Sequence, residues 1–108
     1  METFVKGDII IIPFPFSDLS SSKKRPAFVI KDLGQDIILC QISSQAFISS
    51  FSVIITTKDF LKGELPVSSV IHPQRIFTAD KNIIIKKKGT LKKECTDSII
   101  ENIHKALF

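Results

Sequence analysis

Apolar residues in this chain come in short clusters separated by polar or proline-containing breaks, a spacing that favours strands over helices. Ile9 to Ile12 are four consecutive β-branched residues, apolar on both sides, which predicts a buried strand that Pro13 and Pro15 should end. Further extended segments are predicted at Ala27 to Lys31, Ile37 to Ile42, Phe51 to Ile55, Val67 to Ile71, Gln74 to Thr78 and Asn82 to Lys87. The turn Asp32-Leu33-Gly34-Gln35-Asp36 should join the second and third strands as a hairpin, and His72-Pro73 should break the fifth. Thr56 to Lys62 carries a helix-start pattern, with Gly63 stopping it after a turn or two.

Beyond Gly89, expected to end the last strand, the period changes. Leu91, Cys95, Ile99, Ile103 and Leu107 recur every fourth residue, which predicts an amphipathic helix over Leu91 to Leu107, with Thr90 placed to cap it. Five to seven short strands and one terminal helix make a mainly β fold, a small, strongly bent barrel. With no repeat, linker or low-complexity tract, residues 1–108 read as a single domain, large enough to bury a core without staples.

The formal net charge is +4, and acidic and basic residues balance as far as Ile54. The excess lies beyond, where Lys81 to Lys93 holds six lysines and no carboxylate. Such a run either steers a polyanion to the fold or keeps a hairpin solvated. Cys40 and Cys95 each sit in apolar pattern and read as buried free thiols. There is no CxxC, HExxH or Cys/His cluster, so neither a metal nor another cofactor is expected. The N-terminal stretch has no signal-peptide character and no run approaches membrane-spanning length, so the expected location is cytoplasmic, with no membrane partner.

The stretch Gly7 to Ile30 is the most suggestive for chemistry. Ser17 to Lys24 reads as an exposed loop with a cationic tip, and Arg25 precedes Pro26, whose ring pushes the preceding residue into extended backbone. A guanidinium offered from the first residue of a strand, beside a basic loop, suits an anion. Surface ion pairing is the plainer role for such an arginine. Phe14 and Phe16 fit either base stacking or the core, Ser43 and Ser44 either a site or a strand end. His72, beside Pro73, reads as a solvated loop histidine, and His104 lies near the helix C-terminus; neither is chosen as a catalyst.

GDI before an apolar strand, PFPFSDL, KKRPAFVI, Ile42-Ser43-Ser44-Gln45 and LPVSSVIHPQRIFTADKNII together resemble the MazF/PemK family of toxin ribonucleases from bacterial toxin–antitoxin modules, especially its PemK-like branch. The resemblance runs from about Gly7 into the terminal helix. It implies an SH3-like β-barrel that forms a homodimer, binds an antitoxin, and cleaves single-stranded RNA sequence-specifically without a metal. By that resemblance Arg25 matches the catalytic arginine, and Ser43 stands where many members have a catalytic threonine. Phe16, Ser17, Lys23, Lys24, Ser44, Gln45, Arg75 and Asp80 are then the candidate RNA contacts. Two departures stand out: Phe77 replaces an arginine common before the Thr-x-Asp pattern, and the first loop has no histidine. They leave open a non-catalytic SH3-like binding module, as does the related fold a gyrase-poisoning toxin.

In such a reaction the RNA's own 2′-hydroxyl is the nucleophile, so the protein must take its proton, stabilise the phosphorane and protonate the leaving oxygen. Arg25 suits the second task, since its fork stays charged and can grip two phosphate oxygens. No residue in the sequence stands out as the acceptor of that proton.

Overall fold

The computed structural model describes residues 2–15, 22–44 and 48–108. Its described strands are β1 (Asp8–Pro15), β2 (Ser22–Asp32), β3 (Asp36–Ser43), β4 (Val53–Ile55), β5 (Phe60–Gly63), β6 (Ser69–Asp80) and β7 (Lys86–Leu91). They form one curled sheet in the order β4-β6-β3-β2-β1-β7-β5, every pairing antiparallel. Helix α1 (Lys93–Leu107) packs against β6. The mainly β half-barrel with a C-terminal helix is the architecture expected from the pattern.

Alternation in the strands sorts the core into two layers, one on each face of the sheet. Ile9, Phe28, Cys40, Ile42 and Ile71 face α1 and pack with its buried Ile99 and Ile103. Ile10, Ile12, Ala27, Val29, Ile37 and Leu39 form the opposite layer, with Phe4 and Phe77 against them. The period-four stripe of α1 is therefore buried at Ile99 and Ile103, half-buried at Cys95 and exposed at Leu107, and the helix starts two residues later than expected. Leu91 still belongs to β7, and Thr90 does not cap the helix but donates to Asp8 Oδ1 at 2.8 Å.

Four further elements depart from the pattern for identifiable reasons. β1 continues through both prolines, because its odd-numbered backbone groups face β7, and β7 stops at Lys86 opposite Ile11. Pro13 and Pro15 thus fall where no ladder bond is lost. β6 continues through His72-Pro73: its register to β3 jumps from Gln41↔His72 to Cys40↔Ile76, so the residues between bulge out instead of ending the strand. Residues 57–59 make only a 3-10 turn, which leads into β5, an edge strand paired to β7. Gly89 lies inside β7, because a Cβ there would meet Lys62 O at 2.4 Å and the Phe60 ring at 2.9 Å.

Polar contacts tie the N-terminal segment to the sheet. Gly7, at φ +100°, donates to Val29 O (3.1 Å) and accepts from Leu91 N–H (2.9 Å). Asp32 accepts from Lys81 Nζ (2.8 Å), Phe4 N–H (2.9 Å) and Gly34 N–H (2.8 Å). These donors, Lys81 foremost, hold its carboxyl down at about 2, against an ordinary 3.8.

Both contacts can be tested through stability. Gly7→Ala should destabilise by roughly 1–3 kcal/mol, since it strains the left-handed backbone and drives Cβ to within 2.6 Å of Thr96 Oγ1. Urea unfolding should show Thr96→Ala lowering that cost in the double variant, because the clash goes while the strain stays. Because the Asp32 carboxyl is depressed, its contribution is complete above pH 3.8 and is lost as pH falls toward 2. Urea midpoints of Asp32→Asn and the parent should therefore differ at pH 6 and converge across that acid window.

Candidate active site

Pro26 has no N–H with which to extend the β2–β3 ladder, and the pairing stops at Ala27↔Gln41. Two residues further along the same register Arg25 stands level with Ser43. The strands are no longer bonded there, and a pocket of about 470 Å³ opens between them. Its polar wall is Lys24 and Arg25 from β2, Ser43 and Ser44 from the end of β3, Ser69 from β6, and Lys86 and Lys88 from β7. Ile11, Ile42, Leu65, Pro66 and Val67 supply an apolar wall.

Among the described residues lining the pocket four are cationic and none is a carboxylate. Arg25 is half-buried, with its Nε out of solvent, so it meets an anion with less competing hydration than a surface arginine would. The lysine run is split by the fold. Lys81 is buried on Asp32, Lys87 lies 3.8 Å from Asp8, and Lys93 pairs with Asp97 at 3.0 Å. Strand alternation turns Lys86 and Lys88 the other way from Lys87, into the pocket. A phosphate would find there one planar fork, three ammonium groups and three hydroxyls, the inventory for holding a phosphodiester and countering extra negative charge on it.

Behind Ser43 stands a residue that sequence reasoning set aside. His72 is a buried strand residue, 1% exposed, not a solvated loop histidine. Its Nε2 lies 2.8 Å from Ser43 Oγ. Because β6 runs on to His72 before bulging, the ring stands opposite Gln41, on the sheet face that Gln41 and Ser43 share. Burial, with a smaller push from the Arg75 guanidinium, lowers its pKa below the ordinary 6.5, so the ring is neutral at pH 7. The available signal was the run Ser69-Val70-Ile71, whose continuation by one residue carries the imidazole beside the hydroxyl closing β3. His72 O also accepts from Cys40 Sγ at 2.8 Å. Burial pushes that thiol up to about 12 and the half-buried Cys95 thiol to about 11, so neither is a ready thiolate.

Over residues 5–107 the chain matches the family described as PemK-like, MazF-like toxin of type II toxin-antitoxin system. The protein belongs to this family. Solved structures similar to this PemK-like chain include MazE-MazF from Deinococcus radiodurans, at TM-score 0.80 and 15% identity, covering 99% of this chain and 97% of that one. An endoribonuclease in complex with its cognate antitoxin, from Mycobacterial species, gives 0.77 at 12% identity, covering 97% and 95%. The Mycobacterium tuberculosis toxin MazF-mt6 gives 0.72 at 14%, covering 93% and 95%. At these identities the likeness establishes the fold. Among curated proteins, none matches the chain.

The remaining candidates of this PemK-like chain are dispersed. Arg75, in the β6 bulge, lines a second groove of about 430 Å³ with Ile12, Pro13, Gln41 and Phe77, apart from the Arg25 pocket. Arg75 and Phe77 thus line one groove. Asp80 serves the turn after β6, accepting from Asn82 N–H at 2.8 Å. Phe16, Ser17 and Gln45 lie outside the described residues, and Lys23 is described only by its backbone in β2. The pocket therefore unites Lys24, Arg25, Ser43 and Ser44, and adds Lys86 and Lys88.

Proposed function

We propose that this protein is the endoribonuclease toxin of a toxin–antitoxin module, cutting single-stranded RNA sequence-specifically by attack of the 2′-hydroxyl on the adjacent phosphate. The observation carrying this reading is the pocket in which Arg25 and Ser43 share a wall with Lys24, Lys86 and Lys88. Family membership and the similar structures described as endoribonucleases support it. Arg25 grips the scissile phosphate and stabilises the phosphorane. Ser43 meets the reacting oxygens, Ser44 and the lysines bind flanking phosphates, and the apolar wall leaves room for an unstacked base. No metal is assigned a role, because the described lining offers cations and hydroxyls suited to phosphate rather than carboxylates suited to a divalent ion.

The protein acts as a homodimer and is neutralised by a cognate antitoxin whose acidic segment competes with RNA for the cationic pocket. The sheet ends in two short edge strands, β4 and β5, each presenting an exposed aliphatic residue, Ile54 and Leu61. The groove around Phe77 adds a further apolar surface. A second copy would cover such surfaces.

If Arg25 acts on charge that appears only in the transition state, Arg25→Ala should slow single-turnover cleavage of a fluorescent RNA in EDTA by about a hundredfold or more. Binding of an uncleavable analogue should weaken far less. Lys86→Ala and Lys88→Ala should instead weaken binding and flatten its salt dependence, with the saturated rate nearly unchanged. An Arg25→Ala enzyme that cleaves at the parent rate once saturated would reduce Arg25 to a phosphate anchor. RNA left intact but bound by the parent would replace the nuclease with a binding module.

Light scattering at micromolar concentration should give twice the 12.1 kDa chain mass. A strict monomer would overturn the dimer. An acidic antitoxin peptide that binds without displacing RNA would overturn the shared pocket.

A further inference from the structure

The established family and the proposed reaction leave the acceptor of the 2′-hydroxyl proton without an owner. Arg25 is a poor candidate, because a guanidinium holds its proton and has no acceptor site. The pocket's lysines are cations, and its described lining holds no carboxylate. Within the wall, the group joined to a neutral base is Ser43, whose Oγ lies 2.8 Å from His72 Nε2.

We propose that Ser43 and His72 form a proton relay, in which Ser43 Oγ takes the 2′-hydroxyl proton as its own proton passes to His72 Nε2. This rests on the nuclease reading and assigns its missing base. Ser43 touches the reacting oxygen. His72, screened from the pocket, is a positioning and proton-accepting residue that acts through it. As the 2′-oxygen loses its proton it forms the bond to phosphorus. The bond from phosphorus to the 5′-oxygen breaks with its electron pair on that oxygen, which takes a proton from solvent. His72 returns its proton to solvent after turnover, leaving a 2′,3′-cyclic phosphate and a free 5′-hydroxyl.

Three features fit the relay. The 2.8 Å separation is a hydrogen bond of good length for a hydroxyl and a ring nitrogen. The bond crosses from β3 to β6, each paired to a strand on both sides, so both partners are held on rigid backbone. His72 is neutral at neutral pH, the form that can accept.

Several elements bear on its titration. Arg75 lies on its own strand, and β3 brings the neutral Gln41 opposite and the Cys40 thiol on its carbonyl. β2 brings Ala27 to the same face of the sheet and Arg25 level with Ser43, with Leu39 and Phe77 in that apolar layer, whereas the neighbouring Ile71 faces α1. Among the described residues the charge named as acting on His72 is the Arg75 guanidinium, which keeps imidazolium short-lived and resets the base.

The test is single-turnover cleavage at saturating enzyme between pH 4.5 and 8. The parent rate should rise with unit slope through a pKa below 6.5 and then level off. His72→Gln can keep a hydrogen bond to Ser43 but cannot hold the proton. It should lower the plateau about a hundredfold or more, abolish the acid limb and leave analogue binding near the parent value. A His72→Gln enzyme with the parent rate and pH profile overturns the relay while leaving the nuclease intact. Nitrogen-15 NMR of the parent gives a second readout that requires neither a folded variant nor cleavage. The relay needs the proton on Nδ1 with Nε2 accepting from Ser43; a ring protonated at Nε2 at pH 7 overturns it. A parent that leaves RNA intact fails the nuclease reading and the relay with it.

Discussion

Asp8 is a carboxylate almost wholly removed from water, and three groups meet on it. It accepts from Val5 N–H at 2.9 Å and from Thr90 Oγ1 at 2.8 Å, with Lys87 Nζ at 3.8 Å. A buried carboxylate is tolerated only when its oxygens are satisfied, so these partners are obligatory once the side chain is inside. Together they bind the turn before β1 to β7, residues 82 positions apart. Gly7 beside it works through its backbone, bonded to β2 on one side and β7 on the other, with Thr96 of α1 too close for any side chain. The Gly-Asp pair is therefore where the N-terminal segment, the sheet and the helix are joined.

With β7 fixed along β1, Lys86 and Lys88 reach the far side of the opening between β2 and β3. The opening exists because Pro26 cannot extend its ladder, and it keeps a polar wall because β3 ends in two serines. The pocket is thus a by-product of where hydrogen bonding stops. Its charge comes from β2 and β7, the two strands that flank β1, not from one basic loop. Rigid strands set the spacing of Arg25 and Ser43, which matters for the proposed reaction, because small positional errors slow such chemistry.

Strand interiors and the helix were legible because burial imposes periods of two and near four, as at Ile37 to Ile42 and at Ile99 and Ile103. Arg25 and Ser43 were singled out through family likeness, and both line the pocket. What escaped were features decided by partners far away in sequence. Whether Pro13 ends a strand depends on where β7 stops, and whether Gly89 does depends on Lys62 and Phe60. β5 lacks the alternation of a half-buried strand, since three of its four residues are exposed on a sheet edge. His72 was misread because a His-Pro pair looks like a break locally, while the bulge that absorbs Pro73 is set by the register against Cys40 and Gln41.

The closure of β7 on β1 also has a consequence in time. Asp8 is synthesised early and its partner Thr90 late, and at roughly 5–20 residues per second they are separated by several seconds on the ribosome. Until Thr90 is available the sheet lacks the strand that carries Lys86 and Lys88, and such distant pairings are slow to form in any case. A nascent chain therefore holds Arg25 and Ser43 but not the complete pocket around them. A protein whose proposed substrate is RNA is thus made beside RNA in a form that has yet to assemble its site.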